Sequence, residues 1–435
     1  MKKISAISLN SSATCNLQCE YCFVPHFKET TKLNNQLRKD ILDKTIFDKI
    51  INALPKEEIT HLGFWGGEPT LNLDAFCQVI DDDFLNCYFP SLDTIFFSSN
   101  FSNDYIVKNI ELFINKISSL SKKINIEIQA SIDGPAFIHN KNRKGSDVNQ
   151  VIKNFSYIKN KYKNENVNFI VKSTIDNENI KLINNNEELF QSMLAFDNYL
   201  YTETGIHYRP TITIPGEHTK EDGIEYAKFT KKALDIGRPY LTELYSLVYS
   251  LFTRITKSRH VIYHQTLMSS YAYCSAGNSS VGIDLDGTLN FCQGTFMLNG
   301  AEELRIINTQ QKEDKITQNI YKKSFAKTEE DKIRLFYVFN NLKSQLTTGK
   351  NLTKSFLKIL AIDNQLSPVY RQSENMLDIL TALVFASKGC QSANLLTTGS
   401  WYLTSGASAK LFGNGALENV MSYMIKEEKR NKNEF

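Results

Sequence analysis

Long apolar runs are missing from this 435-residue chain. Nothing in it approaches the roughly 18–20 residues that span a bilayer, so an integral helical membrane protein is excluded. Cysteine is scarce: eight residues in all, far below the density of a disulfide scaffold. An excess of one charge is also lacking, since 50 basic and 47 acidic side chains leave +3. That balance gives no reason to expect a nucleic-acid partner. The first residues, Met1-Lys2-Lys3 and the short apolar run after them, are interrupted by Asn10, Ser11 and Ser12 and make no signal-peptide core. A cytoplasmic setting is therefore expected, where thiols stay reduced and clustered cysteines point to metal or catalysis.

What the chain does have is core material, 42% hydrophobic residues, over a length that suggests about two to three domains. Its first half alternates β-rich runs at 4–9, 61–65, 94–98, 126–132, 167–174 and 206–214 with stretches of helical periodicity. Leu37, Ile41, Ile46, Ile50 and Ile51 mark one such stretch. Strands separated by helices predict βαβ units on a parallel sheet, either a partial barrel or an open doubly wound sheet. After Pro215 the pattern changes. Residues 219–270 read as helical, 281–291 as a hairpin about Asp286-Gly287, and 320–389 as helical again. The charged tail from Lys426 is expected to fray.

The decisive feature is Cys15-x-x-x-Cys19-x-x-Cys22, three cysteines within eight residues just after the first expected strand. Three thiolates there suit one metal centre. With His26 they could form a Cys₃His zinc site. Alternatively, they could hold an iron–sulfur cluster with one iron left open to a substrate or cofactor.

This spacing, with Tyr21 before the last cysteine, resembles the radical S-adenosylmethionine (SAM) superfamily. The resemblance continues in order along the chain. Gly66-Gly67-Glu68-Pro69 follows the second strand and is similar to the family's GGEP motif, which holds the amino group of SAM. Ser98-Ser99-Asn100 ends the third strand, and Ser131-Ile132-Asp133-Gly134-Pro135 through His139 to Arg143 resembles the signature of the peptide and protein maturases. Glycines let backbone approach a ligand closely, and a carboxylate is the natural partner of an ammonium. The resemblance implies an α/β fold, a partial (β/α)6 TIM-like barrel over residues 1–215. It implies a [4Fe-4S] cluster on Cys15, Cys19 and Cys22, and SAM held by Tyr21, Gly66, Gly67, Glu68, Pro69, Ser99, Asn100, Ser131, Asp133 and Arg143. Ligands in such architectures sit at the carboxyl ends of the strands.

A second set, Cys274-x12-Gly287-x4-Cys292, resembles the opening of the SPASM and twitch domains of the same superfamily. A full SPASM domain continues with further closely spaced cysteines, whereas here none occurs between Cys292 and Cys390. The expected C-terminal domain, 274–435, is thus twitch-like, with one auxiliary [4Fe-4S] cluster on Cys274, Cys292 and Cys390. It carries a helical insert at 297–389 and follows a helical linker at 216–273. Cys77 and Cys87 lack partners at ligand spacing and read as buried free thiols. His207 and Arg209 alternate on the last expected strand, where they face a barrel interior or serve a structural role.

The implied activity is reductive cleavage of SAM to a 5′-deoxyadenosyl radical that abstracts hydrogen from an unactivated carbon. The implied substrate is a ribosomally made peptide or protein, cross-linked through a C–C, C–S or C–O bond. The implied reductant is a one-electron donor such as flavodoxin or ferredoxin. A twitch-type dehydrogenase of a small sugar or amino-alcohol is the alternative, with tRNA modification a further one that no basic, aromatic-interleaved stripe supports. Because Cys15 stands so near the start, any leader peptide is expected to bind the 219–270 helices, the 297–389 insert or a separate protein.

Overall fold

A computed structural model of the chain describes residues 5–12, 14–22, 56–212, 219–246 and 280–283, with short stretches at 47–48, 54, 289–290, 305–306 and between 415 and 427. The strands are β1 (Ala6–Ser12), β2 (Gln18–Cys19), β3 (His61–Gly66), β4 (Thr94–Ser99), β5 (Asn125–Ser131), β6 (Arg143–Lys144), β7 (Val167–Ile175), β8 (Pro210–Ile212), β9 (Ser280–Ile283), β10 (Leu289–Asn290) and β11 (Arg305–Ile306). The helices are α1 (Leu73–Val79), α2 (Asp82–Tyr88), α3 (Asp104–Ser118), α4 (Ala136–Asn142), α5 (Val148–Lys161), α6 (Asn177–Asn185), α7 (Glu187–Thr204) and α8 (Lys220–Asp235).

The chain forms two compact units. The first gathers residues 1–175, 191–210 and 275–318, and its hydrogen-bonded strand order is β11-β10-β9-β1-β3-β4-β5-β7. The pairs from β9 through β1, β3, β4 and β5 to β7 are parallel, and β10 and β11 add antiparallel. This is an α/β fold with a mostly parallel sheet. Strand periodicity explains it: Ile7 and Leu9, Leu62 and Phe64, Ile95 and Phe97, and Ile126, Ile128 and Ala130 alternate and are buried. On that buried face Phe64 meets Phe76 of α1 at 4.7 Å and Phe97 meets Phe113 of α3 at 5.4 Å, both edge-on. Each buried phenylalanine is worth roughly 1.5–3 kcal/mol, with about 0.5–1.5 kcal/mol more per edge-on pair. On the opposite face the half-buried rings of Trp65 and Phe96 lie 5.1 Å apart.

Three of the helices that follow strands start at a polar cap. Asn103 accepts from the Ile106 N–H to start α3, Asp147 from the Asn149 N–H to start α5, and Asp176 from the Asn179 N–H to start α6.

Two expectations change. Among the described residues of the run at 206–214, strand covers only Pro210–Ile212. Gly205 closes α7 with φ +69°, and the Tyr208 N–H goes to the Asp197 carboxylate rather than into a ladder. The hairpin is present, with Leu289 opposite Ile283, but β9 also pairs parallel to β1, Ala6 opposite Ser280. Residues 275–318 cluster with the first compact unit. The helices expected within 247–279 and 320–389 lie outside the described residues.

The second unit gathers residues 176–190, 211–274 and 319–435. Within it, α8 begins with a capping box between Thr219 and Asp222, and Lys181 of α6 pairs with Asp222 at 3.2 Å. Among the described residues no helix is long and apolar enough to cross a membrane.

Candidate metal and cofactor site at the strand ends

The loop that follows β1 is held from two sides. At the first corner Gly67 comes so close that an added Cβ would lie 2.4 Å from the Thr14 carbonyl oxygen, which explains a glycine there on space alone. The next N–H, of Glu68, donates to that same carbonyl at 2.8 Å. The Glu68 side chain is buried, and its oxygens accept from Thr70 Oγ1 at 2.5 Å and from the Asn100 N–H at 2.9 Å. Burial pushes its carboxyl above the usual range, and the hydrogen bonds from Thr70, Asn100 and Ser99 pull it back. Asn100 Nδ2 then donates to Asn16 Oδ1 at 2.8 Å, and Asn16 Nδ2 to Ser102 Oγ at 2.7 Å. Between them Phe101 adopts φ +51°, a left-handed conformation rare for a residue with a Cβ. Its buried ring against Phe155, 5.4 Å away, holds it there.

At the second corner β2 pairs antiparallel with β6, setting Cys19 opposite Arg143. Asp133, fully buried just past β5, is the hub. It accepts from Arg143 Nε at 2.9 Å and Nη2 at 3.2 Å, from Tyr21 Oη at 2.5 Å, and from the Thr174 N–H at 3.1 Å. Such a bidentate guanidinium–carboxylate pair fixes geometry as well as charge. The Asp133 N–H donates to His139 Nδ1, and His139 Nε2 faces Ser146 Oγ at 2.9 Å. Burial pulls His139 from the ordinary 6.5 down to about 4, so its ring is neutral and structural. Tyr208 Oη caps the turn by donating to the Asp133 carbonyl at 2.7 Å, which leaves 2.7 Å from that oxygen to any Cβ at Gly134, itself at φ +144°.

The cysteines lie on the loop between these corners. Cys19 is half-buried, while Cys15 and Cys22 are open to solvent on one side. The Cys22 N–H closes a turn onto the Cys19 carbonyl. Desolvation of its sulfur, with Glu68 as charged neighbour, pushes the Cys15 thiol up to about 12. Desolvation also raises Cys19, with Arg143 opposing it. A thiol must lose its proton to ligate a metal, so metal binding at this loop releases protons. Among the described residues no three ligating side chains converge as one ion requires; thiolates bound to separate irons of a cluster stand farther apart than those on a single ion. Three thiols on one loop beside a guanidinium fit such a cluster as a donor set.

The structure therefore brings together most of the residues singled out from sequence. Gly66, Gly67, Glu68, Pro69, Ser99 and Asn100 form the first corner; Tyr21, Asp133 and Arg143 form the second; Ser131 ends β5 opposite Lys172. Asn16, Ser102, Thr174 and Tyr208 complete it without having been expected, since single polar residues carry no spacing signal. His26, Cys274, Cys292 and Cys390 lie outside the described residues. Cys87 is exposed rather than buried, because α2 buries Phe84, Leu85 and Tyr88 instead. His207 stacks on Tyr201 at 4.3 Å with Nδ1 3.2 Å from Asp197, the structural one of its two expected roles.

The family model described as a 4Fe-4S single cluster domain matches residues 9–153, the span that contains the cysteine loop, Glu68, Asn100, Asp133 and Arg143. The radical SAM cyclopropyl synthase TigE of Paramaledivibacter caminithermalis is 26% identical over 308 residues, 68% of this chain and 58% of that protein. The cysteine-type anaerobic sulfatase-maturating enzyme of Clostridium novyi is 29% identical over 173 residues, 38% of this chain and 42% of that one. Native anSMEcpe with bound AdoMet shares the fold, with a TM-score of 0.53 at 14% identity over 99% of both chains. The chain is similar to radical SAM maturases. The chain spans about half the length of the curated relatives it matches.

Proposed function

We propose that the chain is a radical SAM enzyme that oxidatively modifies a ribosomally made peptide or protein. The observation that carries this is the convergence of three strand-end motifs on one cysteine loop: Gly67 and Glu68 on Thr14, Asn100 on Asn16, and Arg143 on Cys19. In this reading the parallel sheet is part of a (β/α)6 barrel whose strand ends carry the site. Cys15, Cys19 and Cys22 hold a [4Fe-4S] cluster, and SAM lies against Gly66, Gly67, Glu68, Pro69, Ser99, Asn100 and Ser131. Bound there, the pair supplies one-electron cleavage of SAM to a 5′-deoxyadenosyl radical able to take hydrogen from an unactivated carbon.

The chain's own residues position and charge-match. Among the described residues Glu68 has neutral donors only, so a ligand ammonium over the Gly66-Gly67 backbone would supply the buried carboxylate with a counter-charge. The Tyr21 hydroxyl and two of the three Arg143 nitrogens are engaged on Asp133, and we assign these three residues to the loop rather than to direct contact with SAM. Cys274, Cys292 and Cys390 are proposed to carry an auxiliary cluster in a twitch-like domain, as an outlet for the electron left on the substrate. A flavodoxin or ferredoxin is the proposed donor. That one relative is named a cyclopropyl synthase and another a sulfatase-maturating enzyme supports a peptide or protein substrate and an oxidative bond-forming outcome.

The test is anaerobic reconstitution followed by SAM and dithionite. Formation of 5′-deoxyadenosine is expected from the wild-type chain and its absence from a Cys15→Ala/Cys19→Ala/Cys22→Ala variant. Undiminished product in that variant would refute the assignment.

A further inference from the structure

Arg143 is tied to the cysteine loop in three ways. Its backbone pairs with that of Cys19 across β2 and β6. Its Cζ stands 5.5 Å from the centre of the Tyr21 ring, which lies between Cys19 and Cys22 in sequence. Its Nη1 lies 3.9 Å from Cys19 Sγ, a long sulfur contact. The other two guanidinium nitrogens are fixed on Asp133, whose carboxylate also receives the Tyr21 hydroxyl. Asp133 is wholly inaccessible and the Arg143 side chain nearly so, at 0% and 11% exposure, so solvent screens little of this charge. The ion pair is oriented, its positive end toward the Cys19 sulfur and its negative end away from it. Cys15 differs, with the Glu68 carboxylate as its charged neighbour.

We propose that Arg143 is a positioning residue for the metal centre of this loop: Asp133 and Tyr21 aim it so that its charge rests against the Cys19 corner and favours the centre's reduced state. The inference rests on the reading that Cys15, Cys19 and Cys22 hold an iron–sulfur cluster. Reduction adds one electron to that centre from the donor, with no bond made or broken. A fixed cation beside a thiolate ligand stabilises the added negative charge, and hydrogen bonding to cluster sulfurs acts in the same direction.

The experiment is a reductive titration of the anaerobically reconstituted full chain, followed by electron paramagnetic resonance, with iron content measured on every sample. Arg143→Gln is expected to lower the reduced-to-oxidised ratio at a fixed potential about ten-fold, a shift of ~59 mV to more negative potential. Asp133→Asn, which leaves Arg143 in place and removes its counter-charge, is expected to shift the potential the other way. Arg143→Lys keeps the charge and is expected to restore most of the potential while loading less iron, because the fork that grips Asp133 is lost. Full iron loading with an unshifted potential in Arg143→Gln overturns the inference and leaves Arg143 a purely structural brace. If Arg143→Gln takes up no iron, Asp133→Asn decides: an unchanged or lower potential there is equally fatal. Wild-type protein that binds no iron at all would overturn the reading of the site itself, and the inference with it.

Discussion

Glu68 and Asp133 are both buried carboxylates, both stand just past a parallel strand, and both brace the same cysteine loop. They are held differently. Asp133 has a guanidinium in bidentate contact, with a phenol and a backbone N–H besides. Glu68 has a hydroxyl and backbone N–H groups, and among the described residues no cation pairs with it. A buried charge without a counter-ion is costly, whereas one in a good pair is nearly neutral to its surroundings. On the proposed reading the first corner takes a cationic ligand, and the second, whose carboxylate already has its cation, braces the loop beside it. Two carboxylates in similar places divide the work according to what else is buried with them.

The most severe way to break this comparison is to remove what both corners serve. With Cys15, Cys19 and Cys22 all changed to Ala, 5′-deoxyadenosine should fall to background. The iron carried by reconstituted protein should fall by about half if the second cysteine set also holds a cluster. Glu68→Gln comes next. The loop should still load iron, but SAM affinity should drop roughly ten- to a hundred-fold, because an ammonium loses a charged partner worth about 1.5–3 kcal/mol. Unchanged affinity, measured by equilibrium binding, would make the first corner an ordinary turn.

A smaller effect separates the corners sterically. Gly67→Ala must push the Thr14 carbonyl aside, since that oxygen is backbone and only 2.4 Å from the new carbon. Overpacking of this kind costs about 1–3 kcal/mol, read as a lower urea midpoint together with poorer iron loading. A conservative change at exposed Gly237, where nothing lies within 4 Å of a new Cβ but φ is +69°, should leave iron loading intact.

The smallest effect is a pH dependence seated at the second corner. The folded value of His139, about 4, lies below the ordinary 6.5, so between those limits the unfolded chain binds more protons. The stability His139 contributes is therefore complete above pH 6.5 and drains away as pH falls toward 4. Between pH 7 and pH 5 the loss should be about 1–2 kcal/mol, and urea titrations of His139→Gln should show that component missing.

Sequence periodicity located β1, β3, β4, β5 and β7 within three residues, because β1, β3, β4 and β5 bury an alternating face and β7 alternates half-buried with exposed positions. It also located the motifs of both corners, since glycine, cysteine and paired acidic and basic residues at fixed spacing carry a signal. It missed β2 and β6. Two-residue strands have no period, and the Cys19–Arg143 pairing that links loop to hub exists only once the chain is folded. It missed the parallel docking of β9 on β1 because the alternation of 281–291 specifies a hairpin but not the edge it joins. Asn16, Ser102, Thr174 and Tyr208 went unmarked for a related reason: their partners are 86, 41 and 75 positions away where the pairs are Asn16–Ser102, Asp133–Thr174 and Asp133–Tyr208.

The division of labour between the corners is tested most directly by titrating SAM into reconstituted Glu68→Gln and Arg143→Gln side by side. Binding is followed by the change SAM produces in the reduced centre's paramagnetic spectrum. The account predicts weakened binding in Glu68→Gln and wild-type affinity in whatever fraction of Arg143→Gln carries a cluster. Wild-type affinity in Glu68→Gln with binding lost in Arg143→Gln would contradict it.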